Sequence, residues 1–528
     1  MIKPVDNIVI VGGGSAGWMS AAMLIKAFPE KKITVIESLN IPTVGVGEST
    51  LAHINDYIQF LEIDEKEFMS FTDASYKLSI KFTDFYEKDS GGFHYPFGTP
   101  VLEDTHDGIQ DWFYKKALYP DTPVQDFVRC YYPASALFEQ NKFSLNKDGK
   151  FNNYDPVFHA AYHFDATKFG VWLKEKYCLP RGVTHIQAEV TSILPTDSGI
   201  HAVGLDNNTS INGDLFVDCT GFKSLLLGET LQEPFDSYAD MLPNNRAWAT
   251  RLPYIDKEKE LEPFTNCTAI GHGWVWNIPL WSRIGTGYVY NDRCIDMVSA
   301  QQEFKKHLMS NKMTCPRTQE QVDSLEFKDV QMRVGIHKRT WVKNVVAIGL
   351  SAGFIEPLES NGLFSVHEFL FKLVKSLQRP AVTQWDIDVY NASCLQIFRN
   401  FAEFVALHYA LSIRNDTDYW RANAERTYSP GLPSLTPQSF QGFYSLQHIK
   451  MFTNQAPINA GITRIAVGMN YPMLDPITQK VHEKRDKVSH AEQLKSFFEI
   501  YEKKKQYWKK SAEAEPSLYQ YLKDNIHL

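Results

Sequence analysis

No stretch of this 528-residue chain approaches the roughly 18 consecutive apolar residues of a membrane-spanning helix, so none is expected. Basic charge is not in excess either. The 54 lysines and arginines against 62 aspartates and glutamates leave a net charge of −8, which offers nothing to nucleic acid or an anionic membrane. The seven cysteines, at 130, 178, 219, 267, 294, 315 and 394, contain no CxxC pair and are odd in number. That argues against a disulfide framework or a cysteine-built zinc site; no metal is expected, and the thiols fit a reduced, cytoplasmic setting. The opening MIKPVDNIVIVGGG runs straight into a strand pattern, which leaves no room for a signal peptide. No repeat, low-complexity linker or second nucleotide fingerprint is evident, so one continuous two-module body is expected.

What is present starts at the first strand. Ile8-Val9-Ile10-Val11 is a β-branched run suited to a parallel strand buried on both faces. It feeds Gly12-Gly13-Gly14-Ser15-Ala16-Gly17, then a helix-forming run, then a second strand, Ile33–Ile36, that ends at Glu37. This is the whole dinucleotide fingerprint. Gly12 allows the tight turn, Gly14 admits a pyrophosphate to the backbone, and Gly17 lets helix and strand pack closely. Ser15 and Ala16 open the helix whose amides face the phosphates, and Glu37 can accept from a ribose hydroxyl. Spacing alone does not separate FAD from NAD. Two later apolar runs ending in small residues, 215–221 and 345–353 with Gly349 and Leu350, read as returning strands of a discontinuous FAD module. Gly47 and Glu48, in GVGEST, then belong to a loop beside the flavin.

Three further segments carry chemistry. In GWVWNIP, Trp274 and Trp276 fall on one face of an extended segment and form a wall. FIEPLESNG, residues 354–362, follows the third nucleotide strand, and its acids, proline and glycine are poor packing residues. Inward amides there suit a small anion, and a buried carboxylate suits a base. In ASYKLSIKF, Tyr76, Leu78, Ile80 and Phe82 alternate with polar residues as in a half-buried strand, which by itself leaves Lys77 and Lys81 as equivalent solvated charges.

The GxGxxG of 12–17, WVWNIP of 274–279 and FIEPLESNG of 354–362 together resemble the flavin-dependent halogenases of the tryptophan and indole type, with signatures W-x-W-x-I-P and F-x-x-P-x-x-S-x-G. AYHFDA (161–166), DCTGF (218–222) and HYALSIRNDTDYW (408–420) add to the likeness. The resemblance implies an α/β (α+β) fold: an FAD-binding Rossmann-like module of the flavin monooxygenase type with a mostly helical substrate module. The body is expected over 1–420, with the FAD module near 1–100, 155–230 and 330–375, and a helical C-terminal part over 421–528. It also implies that reduced FAD, supplied by a separate NAD(P)H-dependent flavin reductase, uses O2 to turn halide into hypohalous acid, which a lysine presents to a small aromatic substrate. Matching residue by residue makes Lys77 that lysine, Glu359 and Ser360 its catalytic neighbours, and Asn361 and Gly362 the halide site. Trp274, Trp276 and Pro357 become the wall that keeps the arene from the flavin.

The chain also departs from that pattern. Asn361 stands where the tryptophan enzymes usually carry threonine, which opens the halide choice among chloride, bromide and iodide. Tyr95 and Phe97, in FHYPFG, can stack on an arene. Beyond residue 430 no counterpart of the segment that holds free tryptophan is found, so an indole or phenol-like arene is expected. After residue 480, Phe497, Phe498, Ile500 and Tyr501 embedded in charge indicate an amphipathic helix, expected to be solvated, with packing on the body or on another subunit of a homo-oligomer as the alternatives. The competing readings are an aromatic hydroxylase and a non-catalytic FAD-binding protein.

Overall fold

The computed structural model describes residues 4–41, 48–101, 112, 115–116, 119–145, 154–426, 458–470 and 488–528. Its first layer is a six-stranded sheet built around Asn7–Val11, whose Ile8, Val9 and Ile10 have no solvent exposure. Lys32–Glu37 pairs in parallel on one side, followed by Thr184–Gln187. On the other side lie Leu215–Asp218 and then Val345–Ala347, also parallel, with Trp341–Val342 closing the edge antiparallel. The two returning runs read from the sequence therefore flank the first strand, and the fold is mixed α/β. The helix Ser15–Ala27 buries Gly17 through Ile25 continuously, because it packs on the sheet and is covered by further helices.

A seven-stranded sheet forms the second layer, in the order Lys328–Gln331, Arg246–Leu252, Ile284–Tyr290, Gly273–Pro279, Phe264–Ile270, Ser79–Thr83, Gly92–Pro96. All its pairings are antiparallel except that of Phe264–Ile270 with Ser79–Thr83. A three-stranded sheet of Glu48–Ser49, Ala161–Phe164 and Ser75–Lys77 sits between the layers. The segment 75–83 thus serves two sheets, changing over at Leu78, whose N–H donates to Pro263 O at 2.7 Å and whose carbonyl accepts from Phe97 N at 2.9 Å. This overturns the half-buried reading of ASYKLSIKF. Ser75 to Ile80 are all buried, so the period of two does not mark a wet face.

Two long helices complete the frame around the site. Phe364–Leu377 starts directly after the FIEPLESNG loop. Gln384–Ala410 begins in a Thr383/Asp386 capping box, which satisfies its first amides, and carries His408 inward at its last turn. The charged C-terminal segment is docked, not solvated. In Val488–Glu513, Tyr501, Trp508 and Ala512 are buried, and Lys505 Nζ pairs with Asp126 at 2.6 Å. The final helix, Leu518–Asn525, lays Tyr521 against Phe143 (ring centroids 4.7 Å) and Tyr76 (6.0 Å), and His527 Nε2 donates to Ala74 O at 2.8 Å. The polar majority misled the sequence reading because a few large rings at helical spacing suffice to bury one stripe. Leu522 is fully buried in this helix. Leu522→Ala is expected to cost about 2–5 kcal/mol of the stability of the C-terminal dock, read by chemical denaturation and by hydrogen exchange at Tyr76 and Lys77.

Candidate active site

The fingerprint turn opens onto a cavity of about 530 Å3, within the range of cofactor pockets. Gly12, Gly14, Ser15, Ala16, Glu37, Gly349 and Leu350 all line it. Gly12 has φ of 111°, and a β-carbon there would overlap the Cys219 carbonyl oxygen. Gly17 faces away from the cavity; its β-carbon would overlap the Gly12 carbonyl, so this glycine serves helix–strand contact. Glu37 folds across Gly13, and its Oε2 receives Lys174 Nζ at 3.1 Å and lies 2.9 Å from His185 Nε2. Glu48 also lines the cavity, and burial, reinforced by Asp165, raises its carboxyl to about 7. Gly47 lies outside the described residues. The glycine cradle, the helix amides and the terminal acid fit a dinucleotide such as FAD.

The other end of the same cavity is walled by Trp276, Pro357, Ser360, Asn361 and Gly362. Asn361 is buried; its Nδ2 donates to Ile355 O at 3.4 Å, while its Oδ1 has no hydrogen-bond partner among the described residues. Trp274 lies behind this wall, not on it. Its ring centroid is 6.0 Å from that of Trp276, and its Nε1 donates to Glu356 Oε2 at 3.2 Å. Glu356 is completely buried, also accepts from Asn244 Nδ2 at 2.7 Å, and is pushed upward by burial. Of the two acids of FIEPLESNG, this one ties the loop to the tryptophan strand.

Lys77 stands beyond Ser360, with no solvent exposure. Its Nζ donates to Thr50 O at 2.8 Å and to Ser360 Oγ at 2.7 Å, and lies 4.9 Å from the centroid of Phe97. Desolvation lowers its ammonium from 10.5 to about 7, against the opposing pull of Cys267 and Glu359. Ser360 adopts φ of 59°, a left-handed backbone rare for serine. Its hydroxyl also lies 3.0 Å from Ser49 Oγ, which contacts Thr265 Oγ1 at 2.6 Å, and that in turn contacts His163 Nε2 at 2.9 Å. A line of hydroxyls therefore joins the cavity wall to the lysine. Lys81 keeps a bland role, with its Nζ 5.7 Å over the Phe264 ring.

Glu359 is 1% exposed, and neither of its oxygens has an aligned hydrogen-bond donor among the described residues. His408 Nε2 approaches its Oε1 at 2.9 Å, within ion-pair distance but without hydrogen-bond alignment. Tyr95 and Phe97 meet edge to face at 6.1 Å, and Phe404 closes on Tyr95 at 6.1 Å. Phe97 is thus brought to the lysine, while neither ring lines the nucleotide cavity. Sequence reasoning passed over Ser49, Thr265, His163, Glu356 and His408. Four of these sat inside quoted segments; Thr265 carried no signal, since an isolated strand threonine has no distinguishing spacing.

Two outcomes follow from this geometry. Gly12→Ala is expected to abolish saturable flavin binding, measured by fluorescence titration, through the overlap at Cys219. Lys77 is expected to titrate near 7, followed by reductive carbon-13 methylation and NMR. Because its folded value is depressed, the unfolded chain binds the extra proton between about pH 7 and 10.5. The native state therefore gains stability as pH rises through that window, and Lys77→Met removes this slope in denaturation curves.

Comparison with known proteins places this architecture. The profile of the tryptophan halogenase family matches residues 7–472. Tryptophan 6-halogenase ThaL of Streptomyces albogriseolus is 32% identical over 84% of this chain and 86% of its own. Tryptophan 7-halogenase RebH of Lentzea aerocolonigenes is 34% identical over 82% of this chain and 81% of its own. Among solved structures, VirX1 in its apo form superposes with a TM-score of 0.87 at 38% identity, covering 99% of this chain and 100% of that one. The tryptophan 6-halogenase SttH of Streptomyces toxytricini does so with a TM-score of 0.84 at 31% identity, covering 98% and 99%. The chain belongs to the tryptophan halogenase family: it is a flavin-dependent halogenase, an oxidoreductase that works with a flavin and a halide.

Proposed function

We propose that this enzyme halogenates an electron-rich arene of the indole type, with Lys77 presenting the halogen and Glu359 taking the ring proton. The observation that carries the reading is the hydrogen bond from Lys77 to Ser360, because Ser360 belongs to the cavity wall on one side and to the lysine site on the other. Gly12, Gly14, Ser15, Ala16, Glu37, Glu48, Gly349 and Leu350 would hold FAD, which in its reduced form would supply, with O2 and halide, hypohalous acid. The backbone at Asn361 and Gly362 holds the halide at that end.

From there the chain's own groups act. Ser49 and Ser360 pass the small neutral oxidant along their hydroxyls, while Trp276 and Pro357 exclude an arene. Lys77 receives it by N–H donation when charged, or on its free nitrogen when neutral, and near its value of about 7 both forms are populated. Phe97 and Tyr95 hold the arene by stacking. The ring carbon gains a bond to halogen and loses its hydrogen as a proton to Glu359, while the hydroxide left by the oxidant takes a proton from the charged Lys77 and leaves as water; Glu359 returns its proton to the lysine. The relatives named as tryptophan 6- and 7-halogenases support an indole ring. The absence from the sequence of a second nucleotide fingerprint supports a separate NAD(P)H-dependent flavin reductase. No helix among the described residues is long and apolar enough to cross a membrane, in keeping with a cytoplasmic enzyme. Asn361 stands where the tryptophan enzymes usually carry threonine, and bromide or iodide is the halide favoured in this reading.

Incubation with FAD, a flavin reductase, NADH, O2, each halide in turn and a panel of indoles and phenols is expected to give halogenated product by mass spectrometry. Hydroxylated product with no halogenated product under any halide overturns the reading in favour of a hydroxylase. Lys77→Ala is expected to lower halogenation at least about 100-fold and Glu359→Gln by a similar factor, both with flavin affinity retained. Retained activity in either variant removes that residue from the reaction.

A further inference from the structure

His163 lies in the AYHFDA segment and takes no part in the reaction described above. It sits on Ala161–Phe164, paired with Ser49 on one side and Ser75 on the other, and is wholly buried. The Ser75 hydroxyl donates to Pro279 O at 2.6 Å, because a carbonyl oxygen only accepts. That spends its one hydrogen, so toward His163 Nδ1, 3.3 Å away, Ser75 can only accept, and Nδ1 carries the proton. Desolvation and the repulsion of Lys77 hold the imidazole well below its ordinary value, so the ring is neutral and Nε2 is a bare acceptor.

The polarity of the whole line of hydroxyls follows from that one nitrogen. Thr265 must give its hydrogen to Nε2, at 2.9 Å, and therefore accepts from Ser49 at 2.6 Å. Ser49, its hydrogen spent, accepts from Ser360 at 3.0 Å, and Ser360 in turn accepts from Lys77 Nζ at 2.7 Å. Ser49, Ser75, Thr265 and Ser360 are buried and each has one hydrogen to give, so no single link can reverse by itself. A ring protonated on Nε2 would instead turn every hydroxyl round, and Ser360 would donate to the lysine nitrogen.

We propose that His163 is a positioning residue for Lys77: fixed as its Nδ1–H tautomer, it orients the line of hydroxyls so that Ser360 only accepts from the lysine, and one position on Nζ is left for the aromatic chamber. The proposal rests on Lys77 presenting the halogen. Two hydrogens of Nζ go to Thr50 O and Ser360 Oγ, and the described residues offer no third oxygen, while the Phe97 ring lies 4.9 Å away. The third position is an N–H donor on the ammonium and the lone pair on the free amine, the two forms in which the lysine receives the oxidant. With the line reversed, the Ser360 hydroxyl would cap that lone pair and leave the free amine unable to take up halogen. The other titratable groups around His163 do not disturb this tautomer. Glu48, on the neighbouring strand, lines the nucleotide cavity, and Asp165 is paired with Arg283 at 2.9 Å. The Cys267 thiol is pushed upward by burial and stays neutral.

Two measurements on the full-length protein test this. Nitrogen-15 histidine labelling is expected to show, at pH 7, a buried neutral ring with Nδ1 protonated and Nε2 bare, identified as His163 by the shift of its Nε2 signal in Thr265→Val. A His163 ring protonated at Nε2, or at both nitrogens, overturns the proposal whether or not the protein halogenates. Carbon-13 lysine labelling follows Lys77. Thr265→Val cuts the line and frees Ser360 to donate to the amine, so the Lys77 midpoint is expected to fall by at least about 0.5 pH unit. The kcat for halogenation is expected to fall about tenfold, with KM for the arene and flavin affinity unchanged, and Thr265→Ser, which restores the hydroxyl, to recover it to within about threefold. A packing role gives the reverse order, with the isosteric valine tolerated and the smaller serine harmful. That order overturns the proposal, as does an unmoved Lys77 midpoint. His163→Phe is expected to behave as Thr265→Val; should it fail to fold, the two Thr265 variants decide. Protein with the Nδ1–H ring and the Lys77 response but no halogenated product with any halide instead overturns the function proposed above and leaves the polarity of the line standing.

Discussion

A lysine ammonium removed from water constrains the rest of this site. Its Nζ has two polar acceptors, Thr50 O and Ser360 Oγ, and one aromatic face, Phe97. Each acceptor comes from a different part of the chain, and the strand that bears Lys77 belongs to a third. A misplacement of any of them would leave a buried donor unsatisfied, at a cost of about 1–3 kcal/mol for a neutral group and more for a charged one. The three segments therefore hold one another in register. Ser360 also occupies a left-handed backbone that no unconstrained serine favours, which the lysine donor and the following helix, Phe364–Leu377, offset.

Around the lysine a thin layer separates the nucleotide cavity from an aromatic chamber. Trp276, Pro357 and Ser360 face the nucleotide cavity, while Phe97 and Tyr95 stand on the far side with Lys77. Trp274 braces that layer through Glu356, and Glu356 reaches the helix Gln384–Ala410 through Asn244 and Tyr409. The acids of FIEPLESNG thus divide their labour by partner. The one bonded to an amide and an indole is scaffold, and the one left with a lone histidine contact is proposed as the base.

The nucleotide half was legible because its requirements are local. A tight turn, close approach to phosphate and a terminal acid all leave marks within about thirty residues, and the returning strands carry the same apolar run. The reacting half was legible only by likeness. Nothing in ASYKLSIKF distinguishes Lys77 from Lys81, since what sets Lys77 apart is Ser360, 283 positions away. The seven-stranded sheet escaped notice because its strands come from three distant stretches, 79–96, 246–290 and 328–331, and its central strands are buried on both faces, which blurs their alternation. The docked tail escaped for the opposite reason: its buried stripe is narrow and its charge abundant. Thr265 shows the limit most plainly, being one strand threonine whose place in the hydroxyl line is purely three-dimensional.

The helix Ile458–Gly468 supplies Arg464, whose Nε donates to the Tyr132 hydroxyl at 2.8 Å and whose guanidinium lies 5.1 Å over Tyr95. It also supplies Gly461, where a β-carbon would come within 3.0 Å of the Tyr95 hydroxyl and 2.8 Å of Phe404. Among the described residues, none of this helix lines the nucleotide cavity. The dimensions of the aromatic chamber are therefore adjustable from this helical surface while the nucleotide cavity stays as it is. If the chamber holds the arene as proposed, the two functions are separable traits in evolutionary terms, and substrate range drifts by exchange of small side chains without re-inventing the chemistry that supplies it.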